Sequence, residues 1–188
     1  MRTSPIRLDE DVRRVLRRDR WPIVIVGVIT GLATATRFGA RSDLPAHLVF
    51  VLIAPVLVVC DVRLMRLPDA FTLPGYPLLA VLLAIPLDAN AYLRALLAMT
   101  TTLAGHLLLA LPRGGMGMGD VKVAGLVGLI LGWSSWGALA RALVLAYLCA
   151  ALYLLGRRAV ARAASGTAIA FGPFLLGAAT TVIVLTGH

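Results

Sequence analysis

Leu48–Cys60, LVFVLIAPVLVVC, is an uninterrupted apolar run, and it stops at an acidic residue, Asp61. A stretch of this kind can be the inside of a soluble core or part of a membrane span. What surrounds it decides the matter. Six further apolar segments accompany it, so that the set falls at roughly 21–37, 45–60, 71–87, 92–111, 120–133, 136–156 and 168–186. A span needs about 20 apolar residues to cross roughly 30 Å of hydrocarbon. With 60% hydrophobic and only 14% charged residues, and a mean hydropathy of +0.90, the composition lies outside the range of soluble domains. The expected fold is all-α, a polytopic membrane bundle of six to seven transmembrane helices occupying residues 21–188. The segment at 120–133 is short for a span, so it is expected to reach back into the preceding glycines or to be tilted.

Residues 1–20 form a separate basic segment. Seven arginines and a Leu8, Val12, Val15, Leu16 stripe at helical spacing suit either a helix lying on an anionic membrane surface or a disordered basic tail. The first apolar segment ends in Ala33-Thr34-Ala35, a pattern a signal peptidase could use, but its length favours an uncleaved span. The stretch around 157–167 reads as a polar loop.

The net charge of +9 does not indicate nucleic acid, because the basic residues are scattered between apolar segments with no aromatic-interleaved face. They set orientation instead. With the N-terminus in the cytoplasm, Arg2, Arg7, Arg13, Arg14, Arg17, Arg18, Arg20, Arg63, Arg66, Arg113, Lys122, Arg157, Arg158 and Arg162 fall inside. Only Arg37, Arg41, Arg94 and Arg141 fall outside. Cys60 and Cys149 form no CxxC or Cys/His array and read as small packing residues. His47, His106 and His188 are isolated, and His106 reads as a polar packing group. No metal and no organic cofactor is implied.

Of nine acidic residues, two stand at the ends of apolar segments: Asp61 closes one and Asp120 opens another. Ionisable groups there are costly and commonly functional. Two crossings separate them, so both face one side, and by charge bias that side is cytoplasmic. Paired carboxylates share a proton, which lets one activate water while the other polarises a carbonyl. Taken singly, each aspartate could equally be a helix cap or a span end. Asp120 closes RGGMGMGD, in which Gly114, Gly115, Gly117 and Gly119 permit close approach of another chain. Asp61 opens DVRLMRLPDAFTLP, whose Leu67-Pro68-Asp69 turn starts the next span.

Asp61, six intervening residues, Pro68-Asp69 and TLP, then GMGDVK at 117–122, then FGPFLLGA from Phe171, together resemble the prepilin (type IV leader) peptidase family. GLATATRFG from Gly31 also fits that family's preceding span and loop. The resemblance implies an aspartic endopeptidase that cuts the basic leader of prepilin or pseudopilin substrates at the cytoplasmic face of the bacterial inner membrane. It implies Asp61 and Asp120 as the catalytic pair and Gly117, Gly119 and Lys122 as an active-site loop, with Lys122 either snorkelling to the interface or tuning Asp120. Pro68, Asp69, Gly172 and Pro173 would be structural or cavity-lining, Pro173 by interrupting the last helix. Longer members carry a CxxC-bearing domain associated with N-methylation. No such domain is visible here, so peptidase activity alone is expected. Presenilin-like proteases share GxGD but expect a tyrosine where Cys60 stands. The remaining alternative is a transporter or scaffold with a carboxylate proton relay.

Overall fold

A computed structural model of the protein describes residues 9–111, 117–160 and 170–186. Arg2, Arg7, Leu8, Arg113, Gly114, Gly115, Arg162 and His188, named above, lie outside these residues. All regular structure among the described residues is helical: α1 (Glu10–Arg18), α2 (Arg20–Phe38), α3 (Leu44–Leu64), α4 (Asp69–Ala84), α5 (Ala89–Ala110), α6 (Met118–Ser134), α7 (Trp136–Val160) and α8 (Gly172–Thr186).

The boundaries have local causes. Asp88 accepts a hydrogen bond from the Ala91 amide at 2.9 Å and caps α5. Ser135 does the same for α7 through Ala138, also at 2.9 Å. Met65, in the left-handed region at φ 51°, ends α3. Pro68 then precedes α4, where a missing N–H is harmless. The basic segment divides at Asp19, whose carboxylate accepts two hydrogen bonds from Arg63 of α3, at 3.0 and 3.1 Å. In α1, Val12 is buried and Val15 and Leu16 are half-buried, while the arginines face out.

Seven of the eight helices coincide with the seven apolar segments, and they differ in length. Among the described residues, α2, α3, α5 and α7 are the helices long and apolar enough to cross a membrane by themselves. α4 and α8 are shorter apolar helices, and α6 has 17 residues. α6 starts at Met118, two residues before its segment, with Gly117 at its N-cap. α7 runs on through Arg157 and Arg158 to Val160, so the beginning of the expected polar loop is helical. Cys60 is buried as a packing residue should be, but Cys149 is exposed on the outer face of α7.

α6 is the centre of the bundle. From Asp120 to Trp133 every residue except Lys122 is buried. Its contact with α5 is the tightest: a Cβ on Gly128 or Gly132 would collide with Thr102 or Ala98, and one on Gly125 would collide with Tyr76 of α4. The facing stripe of α5, Ala91, Ala95, Ala98 and Thr102, is small too. Small residues on both faces let the backbones approach, which is how helices associate where lipid removes most of the hydrophobic drive. At the far end of α6 the Arg94 guanidinium donates to the Gly132 carbonyl at 2.8 Å, to Trp133 and to Ser134. It thereby satisfies carbonyls that the helix end leaves open. A second cluster closes that end. Asp43 is buried and accepts from Arg41 at 2.8 and 3.0 Å and from the Trp133 indole at 3.0 Å.

Candidate active site

The other end of the bundle gathers the acidic motifs. Asp61 lies in the last turn of α3 and Asp120 in the first turn of α6, and both are buried, 5% and 7% exposed. α8 points its N-terminus at them. The Gly172 amide donates to Asp61 Oδ2 at 3.1 Å. A helix N-terminus has unpaired amides and a partial positive charge, so it suits a carboxylate. A Cβ added to Gly172 would lie 2.6 Å from Asp61 Oδ2 and 3.6 Å from Asp120 Oδ1. The two carboxylates therefore converge on one point, and only a residue without a side chain leaves that point open. Asp120 Oδ1 is buried and has no hydrogen-bond partner among the described residues.

The remaining residues singled out from the sequence form a supporting layer. A Cβ on Gly119 would stand 3.0 Å from the Leu67 Cβ, so this glycine lets the start of α6 sit against the α3–α4 turn. Gly117 caps α6, next to the Asp120 carboxylate. Lys122 is directed away from Asp120: its Nζ meets Asp69 Oδ1 at 2.6 Å, with both side chains about one-third exposed. The reason is helical geometry, since residues two apart do not share a face. Asp69, first residue of α4, is thus an ion-pair partner as well as part of the turn, and Pro68 is the N-cap position. Tyr76 of α4 donates to the Lys122 carbonyl at 2.6 Å, a second tie between the same helices. Pro173 does not interrupt a helix. It occupies the second position of α8, where its missing amide costs nothing and its fixed φ favours the first turn.

The sequence did not single out Tyr147, and it gave His106 only a packing role. In the structure the Tyr147 hydroxyl lies 3.2 Å from His106 Nε2, and both rings pack near Phe171, the residue before Gly172. A tyrosine inside an otherwise apolar span was the available signal.

A sequence profile described as the Type IV leader peptidase family matches residues 48–155, which include both aspartates and the turn between α3 and α4. Two curated proteins named prepilin leader peptidase/N-methyltransferase are similar. The one from Pseudomonas putida is 33% identical over 167 residues, covering 83% of this chain and 55% of that protein. The one from Bacillus subtilis is 30% identical over 142 residues, covering 75% and 56%. The chain thus spans about half the length of these relatives. No solved structure matches it. On the profile match, together with apolar helices able to cross a bilayer, the chain is a membrane protein and belongs to the type IV leader peptidase family.

Proposed function

We propose that the chain is an aspartic endopeptidase that removes the basic leader of prepilin-like proteins, with Asp61 and Asp120 as its catalytic pair. The observation that carries this is the convergence of both carboxylates on the open position beside Gly172. In the proposed reaction one carboxylate is ionised and takes a proton from water as that water attacks the scissile carbonyl carbon. The other is protonated and donates to the carbonyl oxygen. The resulting diol then collapses: the C–N bond breaks, the departing amine takes up a proton, and the pair is left with one proton between them.

The bundle crosses the membrane six to seven times on this proposal, with α6 crossing inside a sheath of other helices, α1 lying on the anionic surface, and the aspartates on the cytoplasmic side. The basic N-terminal segment does not attract a basic leader by charge, so the apolar part of the substrate supplies recognition. Hydrolysis alone is proposed for this chain.

The test is cleavage of a prepilin-like substrate by the purified chain, read by mass spectrometry of the product. Asp61→Asn and Asp120→Asn are each expected to lower turnover by about 10²–10⁴, since Asn keeps the shape but cannot hold the proton. The double variant should be little worse, because the pair acts as a unit. Asp69→Asn should keep appreciable activity, and the product should stay unmethylated with S-adenosylmethionine present. Near-normal turnover in either single variant removes that residue from the pair.

A further inference from the structure

We propose that Tyr147 and His106 form one hydrogen-bonded unit that positions Phe171 and Gly172, and through the Gly172 amide the Asp61 carboxylate. The proposal rests on the aspartate reaction above.

Three helices meet at this unit. His106 is buried on α5, and its Nδ1 lies 2.8 Å from the Thr102 carbonyl. A carbonyl oxygen can only accept, so Nδ1 is the nitrogen that carries the proton. In the neutral ring Nε2 is then an acceptor, and the Tyr147 hydroxyl of α7, 3.2 Å away, donates to it. The Tyr147 proton is therefore committed to His106, and the ring is held in one orientation. That ring packs against Phe171 with centroids 5.0 Å apart at 37°, and the His106 ring lies 6.4 Å from Phe171 at 43°. These are tilted arrangements that aromatic rings favour.

Phe171 is not helical and directly precedes α8. The orientation of its peptide bond to Gly172 decides where the Gly172 N–H points, and that N–H donates to Asp61 Oδ2 at 3.1 Å. A helix end tends to fray. Here the ring of the preceding residue is pinned by α5 and α7, while its carbonyl accepts from Phe174 at 3.0 Å and Leu175 at 3.2 Å. A polar pair inside a membrane bundle is costly unless it is satisfied. A leucine at 106 would pack without that demand. The polar pair is explained if its role is to fix orientation at the adjacent site.

The test uses the full chain in proteoliposomes with a prepilin-like substrate, measuring kcat and KM separately at matched protein levels. Tyr147→Phe keeps the ring against Phe171 and removes the donor, and His106→Leu removes both hydrogen bonds. Each is expected to lower kcat about tenfold with KM within about twofold, and the double variant should match the singles, as for groups that act as a unit. His106→Gln can donate to Thr102 and accept from Tyr147, and should recover most of the kcat lost in His106→Leu. Unchanged kcat in Tyr147→Phe, multiplying losses in the double variant, failure of Gln to surpass Leu, or a loss confined to KM would each overturn the proposal. Should Tyr147→Phe fail to accumulate, the Gln and Leu contrast at 106 decides. Asp61→Asn in the same assay separates the two levels. Surviving turnover there removes the aspartate reaction and this proposal with it, whereas abolished turnover beside a normal Tyr147→Phe removes this proposal alone.

Discussion

At Gly172 the difference between a hydrogen atom and a methyl group is the difference between an open site and a filled one. An alanine Cβ would come within 2.6 Å of Asp61 Oδ2, closer than atoms in contact can sit, so the carboxylate or the start of α8 would have to move. Gly172→Ala is therefore expected to lower kcat by about 10², the usual cost of misplacing a reacting group by roughly an ångström. Its thermal unfolding should stay near that of the parent, because the clash is confined to the first residue of α8 and the helix packs against α7 and α3. Normal turnover in purified Gly172→Ala would show that the open point is not where the substrate or water sits. Much of this scale was legible in the sequence. The spacing of Asp61 to Pro68-Asp69, the GxGD at 117–120 and the FGP at 171–173 marked the residues that converge. What motifs could not give was direction. Lys122 follows Asp120 by two positions and is carried by the helix to the other side, toward Asp69, and Pro173 begins a helix where a kink was expected. Tyr147 and His106 carry no motif, and their meeting depends on how α5 and α7 pack.

For single elements, the contact between α5 and α6 is the one most easily broken by adding atoms. A Cβ on Gly128 would run into Thr102 Oγ1 and lie 2.7 Å from the Ala98 carbonyl oxygen, which is backbone and cannot turn aside. Gly128→Ala should push the helices apart and cost about 1–3 kcal/mol, as overpacking does. Gly105→Ala, on α5 itself but with open space around the added atom, should be neutral or slightly stabilising through helix propensity. Thermal unfolding in detergent compares the two, and equal melting temperatures would contradict the close approach. Hydropathy located every apolar helix to within a few residues, since a span long enough to cross leaves an unmistakable run. It could not show that α6 would be the central helix. Its glycines read equally as weak helix formers and as a contact surface, and the partner stripe of α5 identifies them as the latter.

The molecule as a whole is held at its far end by the Asp43 cluster, where pH provides a handle. Burial pushes the Asp43 carboxyl up, but hydrogen bonds from Arg41 and the Trp133 indole, with the neighbouring positive charge, outweigh it and hold the group below its ordinary value. A carboxylate with a lowered folded value stabilises the fold above its unfolded pKa of about 3.9, and the stabilisation disappears as pH falls through the folded value. Asp43→Asn should thus melt a few degrees below the parent at neutral pH, with the gap closing on acidification below about pH 4. A gap that does not vary with pH would mean the side chain's shape matters and its charge does not. Asp43 drew no attention in the sequence because Trp133, 90 positions further along the chain, is brought to it only by the meeting of α3 with the end of α6. The position of Gly172 also sets an order of events during synthesis. Translation delivers Asp61 first and Asp120 some sixty residues later. The amide that holds Asp61 arrives only with α8, after every other described helix has been made. A ribosome that has not yet passed residue 172 therefore carries a nascent chain with both carboxylates but without the amide that orients Asp61, and on the proposed reaction such a chain is inactive until α8 has been made.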